Sequence, residues 1–117
     1  MLHITGIVVQ GEKRGRILGF PTANIDIKKK KLYVTPGIFA GWAMVGKKRY
    51  KAAVFIPTTL DRAEAHLLGY TGKEFYGKHI ELEVLQKVSE IERYDTTDEL
   101  IEKIKNDVEL VREVLGK

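Results

Sequence analysis

The C-terminal end of the chain carries the clearest helical pattern in the sequence. Apolar residues recur there at the three- and four-residue spacing of one helix face, at positions Leu100, Ile101, Ile104, Val108, Val111 and Leu115. Thr96 followed three residues later by Glu99 is a capping box, which marks the beginning of a helix, and Gly116 is expected to end it. The sequence therefore predicts one amphipathic C-terminal helix that packs on the rest of the chain.

Ahead of this helix, the chain consists of short segments rich in β-branched residues and separated by turns. Strands are predicted over residues 3–10, 22–27, 38–45, 49–56, 63–70 and 79–88. In the last of these, Ile80, Leu82 and Val84 alternate with glutamates, as in a strand with one face in water. Short strands followed by one helix predict a mainly β domain, a small antiparallel barrel with the helix on its outside or end.

Length and composition are those of a single domain, 1–117, without a membrane span. The 117 residues are 44% hydrophobic and 31% charged, and no apolar run is long enough for a transmembrane helix. The first residues lack the features of a secretory signal. The absence of cysteine excludes a disulfide framework, a thiolate zinc site and a cysteine nucleophile. We expect a cytoplasmic protein.

Charge is distributed unevenly along the chain. Residues 1–50 hold 10 basic and 2 acidic side chains, a balance of +8, whereas residues 51–117 hold 10 basic and 14 acidic ones, a balance of −4. An excess of this kind favours a partner with negative charge. Nucleic acid, a membrane surface and the phosphates of a small ligand all meet that description.

The common catalytic and metal-binding signatures are absent. His3, His66 and His79 are isolated from one another, so we interpret them as ordinary strand or surface histidines. The sequence contains no G-x-S-x-G elbow, no Rossmann glycine pattern after the first strand and no Walker motif.

The segment 11–24 is the best remaining candidate for a binding site. Its closely spaced glycines let backbone N–H groups approach phosphate oxygens, and Arg14 and Arg16 add charge that suits phosphate. Thr22 and Asn24 share one face of an extended segment, where their oxygens could bind one hard cation. From spacing alone, a phosphate site and a mobile basic loop followed by a strand are equally good interpretations.

Longer strings of residues carry more information. The most specific is Gly-Phe-Pro-Thr-Ala-Asn at 19–24, and others follow at 36–41, 63–68, 74–77 and 94–100. In this order, over nearly the whole chain, they resemble the flavokinase (riboflavin kinase) family, whose domain also forms the C-terminal half of bacterial bifunctional FAD synthetases. The resemblance implies a six-stranded antiparallel Greek-key barrel with one C-terminal helix. It also implies Mg²⁺-dependent transfer of the γ-phosphoryl group of ATP to the 5′-hydroxyl of riboflavin, giving FMN.

The resemblance further implies roles for individual residues. Thr22 and Asn24 match the family's magnesium ligands, and Glu64 matches its catalytic glutamate. Gly11, Arg16, Leu67, Gly69 and Tyr76 match positions that contact the nucleotide in the family, and we assign Arg14, Gly15 and Thr22 to the same nucleotide site.

Glu64 is also the only acidic residue of its predicted strand. A carboxylate on a barrel wall could accept the proton of an attacking alcohol. A solvent-facing strand glutamate is the alternative, and the residues alone favour it. With the resemblance, the catalytic interpretation becomes the better one, although alignment, Mg²⁺ and cations would supply most of the catalysis.

The segment before the helix departs from the family. Ser89 stands where the family has an arginine, Arg93 keeps the charge of a lysine, and Tyr94 replaces a phenylalanine. We assign these three residues to a flavin site that Glu90 and Glu92 make more acidic. No adenylyltransferase half is present, so FAD synthesis is not expected.

The leading hypothesis is a monomeric riboflavin kinase with riboflavin and a nucleoside triphosphate as partners, and without membrane or nucleic acid. The four lysines at 28–31 are interpreted as a solvated turn, because only Tyr33 is near enough in sequence to stack on a base. The alternative is a non-catalytic, regulatory barrel that binds flavin, nucleotide or nucleic acid. The choice between ATP and CTP as donor stays open.

Overall fold

A computed structural model describes residues 2–9, 20–28, 34–71 and 75–116, and the structural statements below concern these ranges. Its elements are β1 (Leu2–Val9), β2 (Thr22–Asp26), β3 (Gly37–Val45), β4 (Lys48–Ile56), β5 (Arg62–Leu68), β6 (His79–Ser89) and α1 (Thr97–Leu115). Strand ends differ from the predicted ones by at most two residues. β5 ends early because Gly69 adopts a φ of 82°, which turns the chain out of the strand.

The six strands form a closed antiparallel barrel in the spatial order β1–β2–β5–β4–β3–β6. β3, β4 and β5 lie side by side and β6 returns to pair with β3, which is a Greek-key arrangement. β1 closes the barrel by pairing with both β2 and β6. The structure confirms the predicted fold class, a six-stranded barrel with one C-terminal helix.

Strand alternation divides the apolar residues between two cores. Inward-facing side chains fill the barrel, and Ile4, Ile25, Leu67 and Leu82 are among the largest that are fully buried. A second cluster joins the outer face of the barrel to the helix and consists of Ala40, Ala53, Leu68, Ile104, Val108 and Val111. The apolar stripe predicted for α1 therefore packs on the outside of the barrel.

Helix α1 begins and ends where its caps predict. The Glu99 N–H donates to Thr96 Oγ1 at 3.1 Å, and the Glu99 carboxylate accepts from the Asp95 N–H at 3.0 Å. Gly116 has a φ of 92°, and its N–H donates to the Arg112 carbonyl oxygen. Within the described ranges, no helix has the length and hydrophobicity that a membrane crossing requires.

Gly41 lies at an irregularity in the pairing of β3 with β6. A Cβ atom there would come within 2.4 Å of the backbone carbonyl oxygen of Glu83. We expect Gly41→Ala to lower the free energy of unfolding by about 2 kcal/mol, as overpacking does in a core. Gly46→Asn is the control, since nothing lies within 4 Å of that position and asparagine tolerates its φ of 62°. Urea unfolding compares the two variants, and equal losses would contradict this prediction.

Candidate active site

Two neighbouring strands, β2 and β5, place polar side chains together on the outer face of the barrel. Asn24 is paired with Glu64, and Thr22 is paired with His66, in the β2–β5 register. The intervening residue Ala65 belongs to the barrel core, so strand alternation turns its polar neighbours outward. The register thus brings together three of the predicted site residues and adds His66 to them.

These four side chains are buried although they face away from the barrel core. Their exposed fractions are 6% for Thr22, 2% for Asn24, 0% for Glu64 and 7% for His66. In the part of the chain that the structure describes, the only other buried polar or charged residue is Asp107 of α1. Buried polar groups cost folding free energy unless they are paired, so their concentration on one face indicates a functional site.

Helix α1 packs on β3, β4 and β6 and forms a narrow groove with the part of this face that carries Glu64 and His66. Glu64 and His66 line the groove from the barrel, Lys103 and Asp107 line it from the helix, and Tyr94 lines it from the segment between β6 and α1. The groove encloses about 30 Å³, which is room for little more than a water molecule. Glu64 is therefore not the solvent-facing strand glutamate that the residues alone favoured.

The two carboxylate oxygens of Glu64 have different surroundings. Oε1 lies 3.2 Å from His66 Nε2. Oε2 lies 4.0 Å from Arg62 Nε and has no hydrogen-bond partner among the described residues. Asn24 Oδ1, at the paired position of β2, also lacks a partner within the described ranges. A buried oxygen without a hydrogen-bond partner costs about 1–3 kcal/mol, so these two atoms are the candidates at this face for contact with a ligand.

The opposite wall of the groove carries a polar cluster formed by Ser89, Lys103 and Asp107. Lys103 Nζ donates to Ser89 Oγ and to Asp107 Oδ1, both at 2.9 Å. Ser89 Oγ donates to Asp107 Oδ1 at 2.6 Å. The hydroxyl of Ser89, predicted to contact flavin, is thus bonded within the protein.

Tyr94 lies between the groove and two wider recesses. One recess, of about 400 Å³, separates the β4–β5 turn from the segment before α1 and is lined by Thr58, Arg62, Arg93 and Tyr94. The other, of about 530 Å³, lies along α1 and is lined by Ser89 together with Arg93 and Tyr94. All three residues predicted to bind flavin therefore border these recesses, and Tyr94 also lines the groove with Glu64.

In the β4–β5 turn, beside the first recess, a hydrogen bond holds the exposed carboxylate of Asp61 in place. The Thr59 hydroxyl donates to Asp61 Oδ1 at 2.5 Å, and this hydrogen bond lowers the pKa of Asp61 from its usual value of 3.8. Because the pKa is depressed in the folded state, the bond stabilises the turn above pH 3.8 and is lost as the pH falls through the lowered value. Leu60, between these residues, has a φ of 53°, which is an unfavourable conformation for leucine.

The predicted nucleotide-binding residues that the structure describes lie towards the C-terminal end of β5. Leu67 is fully buried in the barrel core, and its N–H donates to the Pro21 carbonyl oxygen at 2.9 Å. Gly69 is exposed just beyond the strand, and Tyr76 is half-buried against the core. The other predicted positions lie outside the described residues, namely Gly11, Arg14, Gly15 and Arg16.

The candidate residues thus follow an order along β5. Gly69, a predicted nucleotide position, follows its C-terminal end, and Arg62 at its N-terminal end lines a recess shared with the predicted flavin residues. Glu64 lies between the two ends. Antiparallel pairing puts Thr22 on the nucleotide side of Asn24. A carboxylate and two candidate cation ligands therefore stand between the predicted positions of the two substrates.

His66 is the site residue that the sequence analysis missed. We interpreted it as an ordinary strand histidine because no second histidine stands at a metal-ligand spacing. The residue does lie in a strand, β5, and its imidazole is buried against Glu64 in the groove. The sequence did contain a signal for this contact, because side chains two residues apart in one strand, such as those of residues 64 and 66, lie on the same face.

Comparison with known proteins identifies the family. The family model for riboflavin kinase, Flavokinase, matches residues 1–115. The RNA-binding riboflavin kinase RibR of Bacillus subtilis (strain 168) is 35% identical over 117 residues, covering 95% of this chain and 50% of that protein. The bifunctional riboflavin kinase/FMN adenylyltransferase of Escherichia coli (strain K12) is 33% identical over 122 residues, covering 97% of this chain and 38% of the relative. The chain thus spans half or less of the length of these relatives.

One solved structure agrees with this assignment, and a second has the same fold. The riboflavin kinase from Trypanosoma brucei superimposes with a TM-score of 0.75 at 27% identity, covering 98% of this chain and 77% of that one. A macrolide-efflux protein from Streptococcus pneumoniae has a TM-score of 0.77 at 22% identity, covering 95% of this chain and 36% of that one, and shows the fold alone. Because the family match extends over nearly the whole chain and the barrel has the expected architecture, the chain belongs to the riboflavin kinase family.

Proposed function

We propose that this domain transfers the γ-phosphoryl group of ATP to the 5′-hydroxyl of riboflavin, giving FMN. The observation that carries the proposal is the fully buried Glu64, whose Oε2 atom has no hydrogen-bond partner among the described residues, beside an Asn24 oxygen that also lacks one. Two such oxygens are costly for folding, which supports a site completed by a substrate and a cation. Membership of the family supports riboflavin as the acceptor.

Glu64 is the general base in this proposal. The O–H bond of the 5′-hydroxyl breaks as its oxygen attacks the γ-phosphorus, the proton passes to Glu64, and the bond to the leaving nucleoside diphosphate breaks. The position of Glu64 between the two predicted substrate ends supports this role. The narrow groove supports it as well, because so little room keeps bulk water away from the reacting groups.

Thr22 and Asn24 would hold the Mg²⁺. Both residues offer oxygen ligands, which Mg²⁺ prefers, and Asn24 Oδ1 is buried without a partner in the described part of the chain. The Thr22 hydroxyl donates to the Phe20 carbonyl at 3.3 Å, which leaves its own lone pairs available. The described residues include no group of three or more His, Cys, Asp or Glu that could hold a metal, so phosphate and water would complete the coordination. When bound, Mg²⁺ neutralises charge on the transferred group.

The flavin would lie at the end of the site that carries Arg93 and Tyr94. The two recesses, of about 400 and 530 Å³, are of the size that small-molecule sites have. Tyr94 lines both and can offer its aromatic face to a flavin ring. We propose that Ser89 influences the flavin site indirectly, through Asp107, because its hydroxyl already donates a hydrogen bond to that carboxylate.

The nucleotide would lie at the other end of β5, towards Gly69 and Tyr76. The charge distribution supports this side, since the basic half of the chain contains the segment that leads directly into Thr22. Contacts from Gly11, Arg14, Gly15 and Arg16 stay predictions of the sequence.

Product analysis tests the proposed function. The purified chain is incubated with riboflavin, Mg²⁺ and either ATP or CTP, and flavins are separated by chromatography. We expect FMN with ATP, and we expect its formation to stop when Mg²⁺ is removed with EDTA. The absence of FMN with both nucleotides would overturn the proposal.

The nucleic-acid alternative is tested separately, because one relative, RibR, is described as RNA-binding. We propose that this chain acts as a monomer and binds RNA only weakly. Titration of a fluorescent RNA at low and high salt measures this interaction. Tight binding with a steep salt dependence would favour the alternative.

A further inference from the structure

His66 has no role in the mechanism proposed above, yet it contacts the proposed base. Its Nε2 atom lies 3.2 Å from Glu64 Oε1, and the residue is only 7% exposed. Both side chains project from the same face of β5, and both line the groove under α1. The register with β2 puts His66 opposite Thr22 and Glu64 opposite Asn24, at the centre of the site.

This contact makes the two oxygens of Glu64 inequivalent. An imidazole with its proton on Nε2 donates to Oε1 and occupies that oxygen. Oε2 is left without a hydrogen-bond partner among the described residues. The terminal torsion of a glutamate is broad and about two-fold, so a bond to one oxygen selects the direction in which the other points. Direction matters, because a displacement of about 1 Å can cost about 100-fold in rate.

We infer that His66 is a positioning residue, whose Nε2–H holds Glu64 Oε1 and so makes Oε2 the oxygen that accepts the substrate proton. The inference rests on the proposed function. In the transfer step the 5′-O–H bond breaks and its proton bonds to Oε2. The alcohol oxygen forms a bond to phosphorus, and the phosphorus bond to the nucleoside diphosphate breaks. His66 keeps its own proton throughout.

Two substitutions at this position separate positioning from simple packing. His66→Leu fills a similar volume with an apolar side chain but removes the donor, and we expect kcat to fall about tenfold with both KM values changed by less than about twofold. His66→Gln supplies an amide N–H, and we expect kcat within about threefold of the wild type. His3→Leu is the matched control, since His3 and Glu81 form a similar pair at 3.6 Å on the exposed surface.

Several results would overturn the inference. They are a wild-type kcat in His66→Leu, a loss confined to the KM for ATP, or equal losses in the Leu and Gln variants at equal melting temperatures. Nitrogen-15 NMR of the imidazole gives a measurement that does not depend on turnover, and we expect the protonated nitrogen to be Nε2. A deprotonated Nε2 would also overturn the inference. If the wild type makes no FMN, the proposed function fails, and the NMR result still decides whether His66 holds Glu64.

Discussion

Replacing Glu64 with glutamine is expected to lower kcat for FMN formation by about 100- to 10,000-fold, the usual contribution of a general base. The amide has nearly the shape of the carboxylate but cannot accept the proton of the 5′-hydroxyl. Since the substitution leaves the recesses beside Tyr94 and the candidate metal ligands in place, both KM values should change little. Steady-state kinetics with riboflavin and ATP measure the effect.

Stability provides a second measurement on the same variant. The Glu64 carboxylate is fully buried, and its Oε2 atom has no hydrogen-bond partner among the described residues, so the wild type carries a cost that glutamine reduces. The melting temperature of Glu64→Gln should therefore equal or exceed that of the wild type. Glu83→Gln is the control, because Glu83 is a strand glutamate paired with Arg49 at 3.8 Å outside the site. A large loss of kcat in the control, or none in Glu64→Gln, would show that Glu64 is not the base.

Removing the side-chain oxygen of Asn24 is expected to raise the Mg²⁺ concentration needed for half-maximal activity by about 100-fold, at the upper end of what metal-site substitutions cost. The reason is that Asn24 Oδ1 is a buried oxygen without a partner in the described part of the chain, at the position paired with Glu64. Titration of FMN formation with Mg²⁺ in wild type and Asn24→Ala measures the shift.

Asn24→Asp is the matched control for that experiment. Aspartate keeps an oxygen at the same position and adds a charge that favours a divalent cation. We expect its half-saturating Mg²⁺ concentration to be equal to or lower than that of the wild type. Equal Mg²⁺ requirements in wild type and Asn24→Ala would remove Asn24 from the metal site.

The fold was largely predictable because its signals are local. The capping box at Thr96 and the apolar stripe of α1 fix a helix within one segment, and alternation fixes each strand within a few residues. Strand order depends instead on pairing between distant segments. Strands β2 and β5 are adjacent in the barrel, but two other strands lie between them in the sequence. No local sequence pattern specifies their pairing. The resemblance to the family implied a Greek-key barrel but did not specify this pairing.

The site was only partly predictable for the same reason. Thr22 and Asn24 are two residues apart in one strand and therefore share a face. Their pairing with His66 and Glu64, however, is set only when β2 and β5 come together in the barrel. The sequence also could not show that Glu64 is fully buried, beside a groove that α1 helps to line, rather than facing solvent. On the helix, Lys103 and Asp107 are four residues apart, a spacing that permits an ion pair but does not show whether the pair is buried. In the folded chain their ion pair is largely buried, and Ser89 of β6 hydrogen-bonds to both partners.

The most direct test of Glu64 as the base of a riboflavin kinase is a single-turnover measurement. Protein in excess over riboflavin is mixed with saturating ATP and Mg²⁺, quenched at intervals and assayed for FMN, while quenching of flavin fluorescence reports binding. We expect the wild type to convert all bound riboflavin. Glu64→Gln should bind riboflavin with unchanged affinity and form FMN at least about 100-fold more slowly. Equal rates of FMN formation in the two proteins, or no FMN from the wild type, would contradict this assignment.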